Sequence, residues 1–387
     1  MSSSRLLVVA AVLAAVLLSA CGGSDDEGSK VSREDAAGVA ATYSDLVLAS
    51  YDASIASTAT MQKAIDAFIA KPSSATLAAA RKAWLAARDD YIPTEAFRFY
   101  GGPIDDPDTG PEGKINAWPM DEAYVDYVKG SPKAGIVNDI KGYPKVTADV
   151  IVEANEQGGE TNISSGWHAI EFLLWGQDES KTGPGDRPVS DYTSAPNAKR
   201  RGDYLRLTTS QLLTDLESVR DQWDAEGGEF RTAFLADPDR ALRRIIRGIG
   251  ALAAGELAGE RMAVAFESKE QEDEHSCFSD NTNADVVNNI KGIRMVYLAE
   301  FPGISGASLH SLVEQQDPGL AKRLRAQIDA TLAKAQAFPA TFETMIAAAD
   351  GSPENKAMED VITDLEQHGE TLAQAAKALG VKVGFEV

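Results

Sequence analysis

The sequence predicts an all-α protein made of two related helical bundles. Apolar residues recur in steps of three and four along most of the chain, and strand-type alternation is almost absent. Each half also repeats an order of two long helices, an irregular connection with short helices, and a further helix, as an internal duplication would give. We place an N-terminal bundle at residues 32–195 and a C-terminal bundle at residues 196–387.

Composition agrees with a folded protein of two ordinary domains. The chain has 387 residues, of which 44% are hydrophobic and 25% are charged, as is typical of globular proteins. Its net charge of −22 argues against a nucleic-acid partner, because nucleic-acid binding depends on basic surfaces. With only two cysteines, the chain has no disulfide framework to support its fold.

Residues 1–20 resemble a bacterial lipoprotein signal peptide. A single arginine precedes an apolar stretch that is too short to span a bilayer. That stretch ends in Leu-Ser-Ala-Cys, which predicts that Cys21 carries a lipid anchor; a plain secretory signal with a coincidental cysteine is the alternative. Residues 21–31 then form a flexible tether, and the protein lies outside the cytoplasmic membrane.

The first half begins with a long helix. The capping pattern at residues 32–35 opens helical spacing that runs for about thirty residues, until Pro72 interrupts it. In the next helix, steps of four, three and four place four side chains on one face, although Pro93 should loosen the last turn. Those four side chains are Trp84, Arg88, Tyr91 and Glu95. Asp105 follows in a loop beyond the helix end.

Residues 164–176 predict a short buried helix. The segment is apolar almost throughout, with serines available to cap its start and Gly176 to end it. The exceptions, His168 and Glu171, are three residues apart and share a face. Burying an imidazole and a carboxylate is costly unless both are satisfied. Either the two satisfy each other together with nearby groups, or a metal ion satisfies them.

The second half predicts five further helices and an acidic loop. The helices cover residues 199–224, 237–268, 284–300, 317–347 and 353–379. Glycines inside 237–268 indicate close packing, because glycine is unfavourable within a helix. In the loop, we interpret His275 first as a hydrogen-bonding residue and second as a metal ligand, and Cys277 as a buried thiol. His310 and His368 are expected at the surface.

Four segments in order resemble the imelysin family, bacterial surface proteins also called iron-regulated protein A-like. The family hallmark Gly-x-His-x-x-Glu is matched by Gly166, His168 and Glu171. The hexapeptide alone is a weak signal, whereas the set is specific and spans essentially the whole mature chain. The other resembling segments are residues 94–100 with 102–105, 115–119, and 274–282.

The resemblance implies two related helical bundles with a shared pocket near their junction, in an extracytoplasmic, often lipid-anchored protein linked to iron acquisition. Members are also classed as metallopeptidases. By analogy with related iron-uptake lipoproteins, it implies that His168, Glu171, Glu95 and Asp105 hold a metal ion. Asn283 departs from the family pattern, since a histidine is expected there.

The donor types favour iron over a catalytic zinc centre. One imidazole with several carboxylates suits iron or manganese at least as well as zinc, and no two of the four histidines have zinc-protease spacing. We therefore expect a non-enzymatic, lipid-anchored protein that binds iron outside the membrane and passes it to a membrane transport partner. A zinc-dependent peptidase is the alternative, and a surface module that binds a ligand or peptide without metal is the third.

Overall fold

The computed structural model describes residues 30–181 and 183–384, and within those ranges the chain is helical with no β-strand. The predicted signal peptide, Cys21 and most of the tether lie outside the described residues. The helices of the first half and the start of the second are α1 (Arg33–Ala70), α2 (Ser74–Tyr91), α3 (Glu112–Ile115), α4 (Glu122–Val125), α5 (Ala148–Ala154), α6 (Gly166–Trp175) and α7 (Ala198–Gln222). The all-α prediction is confirmed.

The remaining helices include two that were not predicted, at residues 229–236 and 309–316, and one predicted helix is divided into two. They are α8 (Glu229–Ala236), α9 (Pro238–Gly250), α10 (Val264–Ser268), α11 (Thr282–Leu298), α12 (Leu309–Gln316), α13 (Pro318–Gln336), α14 (Phe342–Ala347) and α15 (Pro353–Ala378). The single helix predicted at 317–347 is wrong, because α13 ends at Gln336 and a loop precedes α14. None of the helices in the described ranges has the length and apolarity needed to cross a bilayer.

The second helix, α2, ends at Tyr91, close to Pro93, which was predicted to loosen its last turn. Ser73 and Thr76 form a reciprocal capping box at its start. At its other end the chain tightens into a 3₁₀ turn, Ile92–Phe97, with Pro93 near its start. This turn packs against α11 and carries Glu95 into the interior. The four side chains predicted to share one face of this helix are all fully buried.

The motif helix α6 is buried on every side and packs against α2 and α7. Gly166 adopts a φ of 83°, and a β-carbon there would lie 2.5 Å from the carbonyl oxygen of Ile115. Only glycine fits this entry to the helix. Ser165 occupies the predicted N-cap position, but its hydroxyl makes no capping bond because it donates to the Lys114 carbonyl oxygen.

Residues 238–268 form one continuous helix whose middle, Ala251–Ala263, has wide π-type turns. Before this segment, Gly248 lets the helix approach the chain closely: a β-carbon there would lie 3.0 Å from the carbonyl oxygens of Ala96 and Arg98. The close packing expected from the glycines is therefore present at this position. The π-type segment carries Arg261 next to the 3₁₀ turn that bears Glu95.

One histidine and one cysteine test the expected exposure of single residues. Cys277 is buried, as predicted. His368 is also fully buried and lies 3.0 Å from the Thr331 hydroxyl, so its surface assignment is wrong. The reason is that α15 packs against both the π-type segment and α13. The internal duplication and the boundary at residue 195 stay predictions.

Candidate functional site

The hallmark histidine and glutamate form a hydrogen-bonded pair in the interior. Nδ1 of His168 lies 2.9 Å from Oε2 of Glu171, and both side chains are fully buried. The other oxygen, Oε1, accepts hydrogen bonds from the Ser279 backbone N–H at 2.9 Å and the Ser279 hydroxyl at 2.7 Å. Burial raises the pKa of Glu171 to about 8, and the Ser279 donors limit that rise. Three donors thus satisfy this carboxyl group.

Arg88 lies on the opposite side of the imidazole. Its Nη2 atom is 3.4 Å from Nε2 of His168 and 3.0 Å from Oδ2 of Asp285. A guanidinium group can only donate, so Nε2 accepts and Nδ1 carries the proton that faces Glu171. Burial, followed by the charge of Arg88, lowers the pKa of His168 well below its usual value. The imidazole is therefore neutral.

His275 belongs to the same cluster. Its ring lies 4.9 Å from that of His168, and its Nδ1 atom lies 2.8 Å from Oδ2 of Asp285. Burial and the charges of Arg261 and Arg88 lower its pKa well below the usual value. The sequence reasoning ranked His275 second and missed Asp285, which is one turn into α11 after the Asp-Asn-Thr segment.

Glu95 forms ion pairs with two arginine side chains. Its oxygens accept from Nη2 of Arg261 at 2.7 Å, from Nη1 of Arg98 at 3.0 Å and from Nδ2 of Asn116 at 2.9 Å. Burial alone would raise the pKa of Glu95, but the two arginines hold it well below its usual value. This carboxylate stays ionised and is fully engaged.

Asp105 is engaged in its own loop. Its carboxylate accepts from the backbone N–H groups of Phe99, Tyr100 and Gly102, the last at 2.7 Å. These bonds fix the turn that follows the 3₁₀ segment. The structure therefore uses Asp105 to shape a loop.

The predicted ligands are not arranged as a metal centre. Every carboxylate oxygen of Glu171 and Glu95 accepts a hydrogen bond, and a guanidinium group faces Nε2 of His168. A cation at Nε2 would meet the positive charge of Arg88 directly. The assignment of His168, Glu171, Glu95 and Asp105 as ligands stays a prediction, and the geometry argues against it.

A cleft of about 500 Å³ opens beside this cluster, between segments of the first and second halves of the chain. Arg98, Arg261 and His275 line it and are themselves largely buried. Six carboxylates also line it: Glu112, Glu156, Glu160, Glu256, Glu260 and Asp273. Acidic side chains therefore outnumber arginines, which makes the cleft attractive to cations.

Comparisons with known proteins agree with the motifs. The imelysin family model, peptidase family M75, matches residues 47–372. Iron-regulated protein A of Synechococcus elongatus is 26% identical over 318 residues, covering 79% of this chain and 76% of that protein. A crystal structure described as an iron-regulated protein A precursor from Parabacteroides distasonis superposes with a TM-score of 0.68 at 21% identity. It covers 90% of this chain and 97% of that chain, and the likeness shows the fold.

Proposed function

The chain belongs to the imelysin family, and on that premise we propose that it is an extracytoplasmic iron-binding protein and not a peptidase. The relatives named for regulation by iron support the choice of metal. The observation that carries the proposal is the acidic cleft at the junction of the two halves. Its six carboxylates raise the local concentration of cations, and the net charge of −22 adds to that effect.

The placement of the hallmark residues speaks against peptide hydrolysis. A catalytic zinc site needs three protein ligands and an open position for water, together with a base. Here His168 and Glu171 are bonded to each other, and Arg88 faces the remaining imidazole nitrogen. As placed, these side chains supply neither a three-ligand set nor a free base.

The predicted lipoprotein signal peptide adds a location to the proposal. A lipid on Cys21 would hold the protein at a membrane surface, and the tether at 21–31 would let the helical body reach a transport partner. Iron bound outside the membrane would then pass to that partner. Radiolabelled fatty acid incorporated into the wild-type chain and absent from Cys21→Ala would support this part; equal labelling would contradict it.

Metal analysis tests the function. The purified full-length chain is dialysed against Fe²⁺ under anaerobic conditions, against Fe³⁺ citrate and against Zn²⁺, and bound metal is then quantified. We expect stoichiometric iron and no chelator-sensitive peptide hydrolysis. Hydrolysis that disappears with chelator and returns with zinc would establish the peptidase instead. A chain that retains no metal would support a surface module for a metal-free ligand.

A further inference from the structure

Three carboxylates converge on the far side of the acidic loop from His275. Asp178, Asp280 and Glu343 each contribute one oxygen, and these oxygens lie within 4.8 Å of one another. They come from three segments: the loop after α6, the residue after the short turn Cys277–Ser279, and the first turn of α14. Within residues 30–181 and 183–384, this is the group of three potential ligands that meets that distance, and no prediction anticipated it.

Several carboxylate oxygens in this group have no hydrogen-bond donor, and Glu343 is the buried member of the three. Glu343 is 5% exposed, and neither of its oxygens has a hydrogen-bond partner among the described residues. Oδ1 of Asp280 also has no hydrogen-bond partner among the described residues. A fourth carboxylate, Glu274, is 1% exposed and leaves its Oε1 unpaired there. Buried polar atoms are normally satisfied, so four unpaired oxygens close together favour the binding of a positively charged ligand.

Repulsion between these carboxylates adds to the effect of burial on their pKa values. Burial and the charges of Glu343 and Asp178 raise the pKa of Asp280 to about 7. Burial and the charges of Asp280, Glu343 and Asp178 raise the pKa of Glu274 to about 9. Such a group is relieved either by bound protons or by a bound cation.

We infer that Asp178, Asp280 and Glu343 form a binding site for a hard, oxygen-preferring metal cation. Oxygen ligands lie about 2.3–2.6 Å from a calcium-sized ion, so oxygens that share it lie at most about 5 Å apart, as these do. The donor set contains no nitrogen or sulfur, which disfavours copper and zinc. Identifying the cation as the iron of the proposed function rests on that function; the site itself does not.

Nearby groups leave an approach from solvent. Glu343 lines a cleft of about 720 Å³, together with Gln271 and Lys269. The Lys269 ammonium donates to Asp350 at 2.5 Å, and Lys181 also lines this cleft. Gln271 donates to Oδ2 of Asp178 at 2.5 Å and fixes that side chain.

The hallmark glutamate positions this site. Ser279, which donates both of its hydrogen bonds to Glu171, directly precedes Asp280. Asp280 has a φ of 54°, in the left-handed region, so its side-chain direction depends on how its neighbour is held. On the other side, Asn283 donates to the Ala340 carbonyl oxygen at 2.8 Å and ties the loop to the segment before Glu343. Glu171 is thus a positioning residue for the cation site.

Calorimetric titration of the chelator-treated full-length chain with Mn²⁺ tests the inference. The variants Asp280→Asn and Glu343→Gln keep side-chain shape and remove charge, and Glu354→Gln is the matched control in the same cleft. We expect one Mn²⁺ per wild-type chain, at least tenfold weaker binding in the two variants, and unchanged binding in the control. Variants that bind as tightly as wild type, or a wild-type chain without saturable Mn²⁺ binding, overturn it.

Circular dichroism melts confirm that each variant is folded, and Asp178→Asn replaces any variant that is not. His168→Gln separates the two regions, because it should keep Mn²⁺ binding within a few-fold of wild type. Failure of this inference and of the proposed function are distinguishable. Mn²⁺ binding without iron binding overturns only the function, whereas wild-type Mn²⁺ affinity in Asp280→Asn and Glu343→Gln, with iron still bound, overturns only the cation site.

Discussion

The two sides of the acidic loop differ in whether their buried carboxylates are compensated by positive charge. On one side, His275 and Asp285 face Arg88. On the other side, Glu274 and Asp280 face Asp178 and Glu343, and the main charges that act on these two carboxyl groups are negative. A few residues of loop thus separate a compensated cluster from an uncompensated one.

The comparison separates buried polar groups that stabilise the fold from those that bind a ligand. Where arginines already balance the carboxylates, removing one partner leaves an unpaired charge and costs stability. Where buried carboxylates gather without a compensating cation, removing one relieves repulsion in the ligand-free chain. Such a group would be stabilised by binding a cation. The hallmark pair resembles the first kind because hydrogen bonds satisfy both side chains, and its assignment as metal ligands stays a prediction.

The largest expected effect comes from breaking the compensated cluster at Arg88. Replacement by methionine keeps much of the volume and leaves Asp285 buried without its guanidinium partner. We expect a loss of about 3–5 kcal/mol in unfolding free energy, measured by urea denaturation. Arg220→Met is the matched control at the surface, where about 1 kcal/mol or less is expected. Equal losses in both variants would contradict the distinction.

A buried histidine outside both regions, His368, contributes to the pH dependence of the unfolding free energy. Burial lowers the pKa of His368 to about 4, from 6.5 in the unfolded chain. As the pH falls below 6.5, the unfolded chain takes up this proton first, so stability declines until pH 4. The decline amounts to about 3 kcal/mol. Denaturation across this pH window should show it, and His368→Gln should remove that component; an unchanged slope would refute the assignment.

The stability of the metal-free chain should respond differently when each of two glutamates, Glu171 and Glu343, is changed to glutamine. In Glu171→Gln the amide oxygen can accept from only one of the two N–H donors, His168 Nδ1 or the Ser279 backbone, and the amide N–H opposes the other, so we expect a loss of about 1–3 kcal/mol. Glu343→Gln removes a repelling charge, so the melting temperature should stay the same or rise. Thermal melts with chelator present measure both, and a destabilised Glu343→Gln would break the comparison.

The smallest effect tests the link between the regions. Ser279→Ala removes the hydroxyl donor to Glu171 and keeps the backbone donor, which should cost about 1 kcal/mol. Because Asp280 follows directly, Mn²⁺ affinity should fall a few-fold. Ser276→Ala removes a comparable hydroxyl bond, to Asp285, and should leave that affinity unchanged. A Ser279 variant with wild-type affinity would show that the two regions are independent.

The features that were predicted correctly from the sequence are those that depend on local residue patterns. Periodicity placed Trp84, Arg88 and Glu95 on one buried face, and the apolar context of residues 164–176 predicted a buried helix with His168 beside Glu171. The family assignment from four segments is confirmed. These features depend on residues within a few helical turns of one another.

What the sequence could not predict depends on contacts between distant segments. Arg261 reaches Glu95 from a π-type segment whose glycines indicated only close packing. Asp178 and Glu343 meet across a large separation in sequence, from loops without periodicity. Nothing in the spacing of the hallmark distinguishes ligation from a hydrogen-bonded pair, because both need an imidazole and a carboxylate on one face.

Anomalous diffraction from a crystal soaked in Mn²⁺ tests the central claim most directly, since it locates the cation without relying on any variant. We predict a peak among the carboxylate oxygens of Asp178, Asp280 and Glu343, with Arg88 still facing His168. A peak bonded to Nε2 of His168, with Arg88 displaced, would contradict the account.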